Sequence, residues 1–266
     1  MTKIIFVHGM GDQKSSDFDG FRDAIWNEAN ARGKTFDKIN DWRLCYWADV
    51  TQGEENDLYG LIARPSVLLH RRLFSSESDV IAYSTRPPYS TLPGNRYAAI
   101  QQRFTDSVDW CSNHSPPPPQ QTPLIVIGHS LGSIIAADGL WYLFQAAAAQ
   151  TNLVLSSVIT FGSPLALFSL QLPNFNYFLP APAQWFNYYY AADVIAFPLK
   201  FTSPNYTSPY DNAVTEDKRL CPWDMSLSLR KLSRVAIACI PVLGILSHDW
   251  YYDDRRVIVK IVSCMS

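Results

Sequence analysis

The sequence predicts an α/β fold in which a mostly parallel sheet is covered by helices on both faces. Two observations carry that expectation. Ile4-Ile5-Phe6-Val7 and Leu124-Ile125-Val126-Ile127 are unbroken apolar runs, as strands buried on both sides must be, because a strand with one wet face alternates apolar and polar residues. Each run leads into a segment with apolar residues at helical spacing, and strands alternating with helices assemble parallel sheets.

The chain has 266 residues, 47% of them hydrophobic, enough for one sizeable core. At about 100–200 residues per domain it reads as one domain, 1–266, with insertions around 51–96, 166–184 and 200–246. Its 22 Lys and Arg against 24 Asp and Glu give a formal net charge of −2 with no dense basic stretch, which argues against a nucleic-acid partner. The five cysteines, Cys45, Cys111, Cys221, Cys239 and Cys264, are scattered, so neither a disulfide framework nor a zinc site is expected. The first apolar run stops at His8-Gly9, short of the roughly 7–15 residues of a secretory core, and the expected location is the cytoplasm. Residues 235–246, interrupted by Pro241 and Gly244, are shorter than the about 18 needed to span a membrane and read as a core or lid helix.

In chain order, a strand over residues 3–7 is stopped by Gly9-Met10-Gly11. A helix follows, with Asp17 or Asp19 as its cap and Phe21, Ala24, Ile25 and Ala29 along one face. Residues 43–50 read as a second strand, and 51–96 as an excursion over the sheet, broken by Arg-Pro steps. Tyr97, Ile100, Phe104, Val108 and Cys111 mark another helix, closed by the proline run 116–119, a stiff connector. The strand 124–127, a helix over 133–150, and strands at 158–161 and 185–190 follow, the last with alternate rings of Tyr188-Tyr189-Tyr190 buried. Val257, Ile258, Ile261 and Val262 mark a C-terminal helix.

Between the strand 124–127 and the helix after it lies Gly128-His129-Ser130-Leu131-Gly132, a match to G-x-S-x-G. That pattern makes a sharp strand-to-helix turn that exposes the serine hydroxyl, and the two glycines keep the turn free of clashes. A serine needs a base to take its proton, and the base needs a carboxylate to orient it. Of five histidines, His8 and His129 adjoin glycine turns and have other geometrical duties, His70 stands in the excursion beside two arginines, and His114 adjoins the prolines. His248 is the expected base. Asp193, just beyond the strand 185–190, is the expected acid, since the C-terminal end of a strand shares the edge on which Ser130 lies. Asp211, Glu216 and Asp217 remain rivals from a loop-like stretch, while Asp249 and Asp253 stand too close to His248 in sequence. The order Ser130, Asp193, His248 is one of the known serine-triad orders. For the oxyanion formed in acyl transfer, the expected donors are the Leu131 N–H at the helix start and the Met10 N–H in the loop His8-Gly9-Met10-Gly11.

On these residues the chain resembles the α/β-hydrolase superfamily, in its lipase and esterase branch. The likeness runs through Phe6-Val7-His8-Gly9-Met10-Gly11, Gly128-His129-Ser130-Leu131-Gly132-Ser133, Phe161-Gly162-Ser163-Pro164-Leu165, Trp185-Phe186-Asn187 with Asp193-Val194, and Ser247-His248. It covers about half of the chain and implies a reduced sheet of about six or seven strands that starts at the oxyanion strand, with lid or cap insertions. It also implies an acyl-serine mechanism on Ser130, with His248 as base and then acid and Asp193 as its orienter.

Neither a cofactor nor a metal is called for. Leu167, Phe168, Leu170, Leu172, Phe175, Tyr177, Phe178 and Leu179 suit either a lid packed on its own core or the wall of an acyl slot. The expected substrate is a small-molecule or lipid ester, with transient contact to a lipid interface open. The expected activity is that of a serine ester hydrolase. An amidase, thioesterase or acyltransferase with the same three residues, and a non-catalytic binding module on the same scaffold, are the alternatives.

Overall fold

The computed structural model describes residues 1–11, 13–53, 79, 83, 96–145, 152–171, 177–203, 206–221 and 247–266. Most of the excursion 51–96 lies outside them, as do His70, Leu172, Phe175, Cys239 and the apolar stretch 235–246.

The chain runs β1 (Lys3–Val7), α1 (Asp19–Ala31), β2 (Trp42–Cys45), α2 (Arg96–Asn113), β3 (Thr122–His129), α3 (Leu131–Gln145), β4 (Leu153–Phe161), α4 (Leu165–Phe168), β5 (Gln184–Tyr190), a two-stranded hairpin β6 (Thr202–Ser203) and β7 (Tyr206–Thr207), β8 (Glu216–Leu220) and α5 (Arg255–Ser263). Six strands form one sheet in the order β2-β1-β3-β4-β5-β8, every neighbouring pair parallel. This is an α/β fold built on a parallel sheet of six strands, within the six or seven expected.

Strand alternation divides the core in two. Ile5, Val7, Leu124, Val126, Val158 and Trp185 face α2 and α3, whose Ile100, Phe104, Val108, Ile134 and Ile135 meet them. Ile4, Phe6, Ile125, Ile127, Ile159, Phe161 and Tyr188 face α1 and α5, which contribute Phe21, Ile25, Val257 and Ile261. Both faces are covered, which is why β1 and β3 carry no polar alternation. Phe6 is central on the second face, with ring centroids 5.2 Å from Phe18, 5.4 Å from Phe21 and 5.7 Å from Trp42.

Several boundaries differ from the sequence reading. The second strand is four residues long and ends at Cys45, not at residue 50, because Ala48–Val50 turns as a 3-10 helix. Trp47 is thereby laid flat on His8, with ring centroids 4.9 Å apart and planes 3° from parallel. Neither Asp17 nor Asp19 caps α1 by a side-chain bond: Phe18 holds the cap position, and Asp17 accepts the Lys14 N–H one turn earlier. β4 begins at Leu153, five residues before the expected start, and α3 begins at Leu131 rather than Ser133.

β8 falls in the loop-like stretch of the 200–246 insertion, yet it is a sheet strand. Its Glu-Asp-Lys-Arg-Leu sequence has one buried residue, Leu220, as suits an edge strand whose charges discourage further pairing. The C-terminal helix is capped by Asp254, which accepts the Arg256 N–H at 2.8 Å and also the Tyr190 hydroxyl at the end of β5. Among the described residues no helix is long and apolar enough to cross a membrane.

In a parallel sheet all C-terminal strand ends share one edge, and crevices open where neighbouring connections leave in opposite directions. Here that point lies between β1, which connects outward to β2, and β3 on its other side. The loops after β1 and β3 begin at His8 and Ser130.

Candidate active site

Ser130 sits between the last residue of β3 and the first of α3 with φ +53°, in the left-handed region. Among the described residues it is the only non-glycine there, and such strain persists only where the surroundings impose it. They do so through the main chain: Ser130 N–H donates to Phe161 C=O at 3.1 Å, and Ser130 C=O accepts from the Ser133 N–H at 2.9 Å and the Ser133 hydroxyl at 2.6 Å. The Ser133 hydroxyl therefore accepts from Ser163 at 2.7 Å, and Ser163 accepts the Leu165 N–H at 3.2 Å. The flanking glycines are required by space. A Cβ on Gly132 would lie 2.2 Å from the Val7 carbonyl oxygen, and one on Gly128 2.6 Å from Ser133 Cα.

His248 and Asp193 meet although 55 positions apart. His248 Nδ1 lies 2.8 Å from Asp193 Oδ2, with both side chains nearly excluded from solvent. A carboxylate oxygen only accepts, so Nδ1 carries a proton, and in the neutral ring Nε2 is the acceptor. Asp193 is held on all sides: Oδ2 also accepts the Tyr251 hydroxyl at 2.8 Å, and Oδ1 accepts the N–H groups of Ile195 at 3.0 Å and Ala196 at 3.3 Å. Four buried side-chain polar atoms among the described residues are left without a hydrogen-bond partner, Gln13 Oε1, Arg43 Nε, Ser130 Oγ and His248 Nε2, and the last two belong to the expected nucleophile and base. The expected bond between serine and base is thus not formed in this structure. Instead an orphaned hydroxyl and an orphaned ring nitrogen stand on the same sheet edge, and a catalytic role is one physical reason for leaving such groups unpaired.

The loop after β1 is tied in three directions. His8 Nε2 accepts the Trp47 N–H at 3.2 Å, so its Nδ1 carries the proton and donates to the Gly9 carbonyl at 2.7 Å. Carbonyl and N–H of a trans peptide point apart, so the Met10 N–H faces away from His8. Gln13 Nε2 donates to the Met10 carbonyl at 3.1 Å, and the Gly11 N–H donates to Asp79 Oδ2 at 2.8 Å. Asp79 is buried and accepts the Thr51 hydroxyl on its other oxygen at 2.8 Å. Gly9 adjoins the nucleophile candidate: a Cβ there would lie 2.8 Å from Ser130 Cβ. Burial lowers the His8 imidazole to about 4, so it is neutral over the ordinary pH range.

His129 lies buried between these two groups. Its Nε2 is 2.9 Å from the His248 carbonyl oxygen, and its Nδ1 is 2.6 Å from the Tyr252 hydroxyl. Gly162, at φ +62°, passes beside both imidazoles: a Cβ on it would sit 2.9 Å from His248 Cε1 and 3.1 Å from His129 Nε2.

The rivals to Asp193 lie elsewhere. Asp217 is on β8, where it accepts Asn187 Nδ2 at 2.8 Å and the N–H groups of Leu199 and Lys200, bracing the loop after β5. Glu216 on the same strand pairs with Lys260 of α5 at 3.1 Å. Asp211 donates its N–H to Ser208 C=O in a turn before β8. Tyr251, Tyr252 and Asp79 escaped the sequence reading. The two tyrosines follow His248 by three and four positions, a proximity that could have flagged them, whereas nothing local marks Asp79. Of the residues expected in a lid or an acyl slot, Tyr177 is buried, with its hydroxyl donating to Ala137 C=O at 2.6 Å, while Leu167, Leu170 and Phe178 are exposed. No group of three or more His, Cys, Asp or Glu among the described residues could hold a metal ion.

No protein-family model matches the chain, and no curated protein sequence matches it. Among solved structures it is similar to phospholipase PlaB from Legionella pneumophila in complex with thio-NAD, at 13% identity and a TM-score of 0.30, over 71% of this chain and 38% of that one. It is likewise similar to phospholipase PlaB from Legionella pneumophila, at 14% identity and a TM-score of 0.31, over 71% and 39% of the two chains. The chain thus spans less than half the length of the structures it matches.

Proposed function

We propose that this protein is a serine hydrolase that cleaves a carboxylic ester through an acyl-serine intermediate. The observation that carries the reading is that two buried atoms at one sheet edge lack hydrogen-bond partners, Ser130 Oγ at a left-handed strand-to-helix turn and Nε2 of an imidazole whose other nitrogen is held by Asp193. His248 Nε2 takes the Ser130 proton as the oxygen attacks the ester carbonyl, and Asp193 stabilises the imidazolium that results. The tetrahedral oxyanion is received by the N–H groups of Leu131 and Met10; losing one such donor typically costs about 3–4 kcal/mol of transition-state stabilisation. His248 then gives the proton to the departing alkoxide, and water, activated by the same imidazole, releases the acid and restores Ser130. The apolar side chains of Leu167, Leu170 and Val194, exposed beyond the ends of β4 and β5, favour an apolar, lipid-like ester.

Hydrolysis of p-nitrophenyl butyrate tests the reading. The native chain turns over the ester, and Ser130→Ala lowers kcat by at least about 1000-fold with an unchanged circular dichroism spectrum. Equal turnover by both proteins contradicts it.

A further inference from the structure

We propose that His129 is a positioning residue, which holds the main chain of His248 and thereby sets where the base stands relative to the neighbouring Ser130. This rests on the reading of Ser130 and His248 as nucleophile and base.

The argument begins with the two ring nitrogens. A carbonyl oxygen only accepts, so the 2.9 Å approach to His248 C=O places the ring proton on His129 Nε2. Nδ1 is then a bare acceptor, to which the Tyr252 hydroxyl donates at 2.6 Å. The His248 carbonyl thereby fixes the tautomer, and the Tyr252 hydroxyl, able to donate or accept, completes it as a donor. Residues 248 and 252 bracket one short turn, so a single imidazole grips both ends of the segment that carries the base. The anchor of this grip is stiff. His129 is the last residue of β3, paired with Phe161 of β4, and it precedes Ser130 directly. Its ring packs 5.2 Å from Phe161 and 4.6 Å from the His248 ring, and Gly162 leaves room for both.

Packing alone does not call for an imidazole here. Burying its two polar atoms is costly unless both are bonded, and both bonds go to the base segment rather than to the residue's own strand or helix. Burial and the neighbouring His248 hold the ring well below the usual histidine range, so one donor and one acceptor persist at working pH. Nucleophile and base reach each other across 118 positions of chain, and a misplacement of about 1 Å can cost about 100-fold in rate. His129 shortens that connection to one residue and one hydrogen bond.

Two substitutions test the inference. His129→Gln can still present an amide N–H to the His248 carbonyl; His129→Met fills similar space without a donor. With p-nitrophenyl butyrate, His129→Met is expected to lose about 10–100-fold in kcat with KM within about twofold, while His129→Gln recovers most of the rate. Native kcat in a folded His129→Met protein, or equal losses in both folded variants, overturns the inference. If His129→Met does not fold, Tyr252→Phe decides: a fall in kcat at constant KM supports the clamp, and unchanged kcat overturns it. If the native chain does not turn over the ester, the hydrolase reading fails, and the His248 ring signals in a ¹H–¹⁵N spectrum then judge the clamp by itself. Signals displaced in His129→Met and restored in His129→Gln support it, and signals unmoved in both overturn it.

Discussion

The Tyr251 hydroxyl donates to the same Asp193 oxygen that accepts the hydrogen bond from His248 Nδ1, each bond 2.8 Å long. The same hydroxyl accepts the Tyr190 N–H at 2.9 Å, so the acid is tied to the end of β5 by a side chain from the base segment. Burial and the Asp193 charge hold the phenol well above its usual range, and it stays a donor. Tyr251→Phe removes the donor and leaves the Tyr190 N–H buried without an acceptor. We expect a loss of about 1–3 kcal/mol in urea unfolding, together with a fall in kcat. Unchanged stability contradicts this account of the acid.

Gly162→Ala should act on the base directly. Its positive φ costs an alanine about 1–2 kcal/mol, and the new methyl would stand 2.9 Å from His248 Cε1, so the ring must move. Activity on p-nitrophenyl butyrate is expected to fall about 10-fold or more while the protein still folds. An alanine variant with native kcat would show that the imidazole has slack.

Acid should destabilise the fold through His8. Its imidazole, ordinarily near 6.5, is lowered to about 4 by burial, so between those values the unfolded chain binds a proton that the folded chain refuses. Stability is therefore fully present above pH 6.5 and declines as pH falls toward 4, by on the order of 3 kcal/mol from this group. His129, lowered in the same direction, steepens the decline. Urea midpoints between pH 4 and 7 measure it, and His8→Phe, though less stable at neutral pH, should show a shallower slope.

Asp79→Ala probes the loop after β1. It removes the acceptor of the Gly11 N–H and of the Thr51 hydroxyl, loosening the peptide that follows the Met10 N–H. A fall in kcat of about 10-fold or more is expected, with KM nearly unchanged, because an oxyanion donor acts in the transition state. A rise in KM alone would place Asp79 in substrate binding instead.

How much of this was legible depended on whether the signal was local. Ile4-Ile5-Phe6-Val7 and Leu124-Ile125-Val126-Ile127 announced central strands because burial on both faces admits only apolar side chains. Glu216-Asp217-Lys218-Arg219 announced nothing, because an edge strand is defined by its partner, β5, and that pairing is invisible in the segment itself. The left-handed turn at Ser130 was legible from two glycines whose absent Cβ atoms clear the Val7 carbonyl and Ser133. Elimination and strand order single out His248 and Asp193, and the structure joins the two by a hydrogen bond. Neither route reaches Tyr251, Tyr252 and Asp79, since their hydrogen bonds span 58, 123 and 68 positions and depend on the assembled sheet edge. The second strand was overextended because Trp47 looks like strand material and is instead a lid on His8.

The central claim is that His248 makes the Ser130 oxygen nucleophilic. It is tested most directly by treating the native chain with a fluorophosphonate and locating the adduct by peptide mass spectrometry. The account predicts one phosphonylated residue, Ser130, and loss of that adduct in His248→Ala. No adduct on the native chain, or an adduct on Ser130 that forms equally fast without the imidazole, would contradict it.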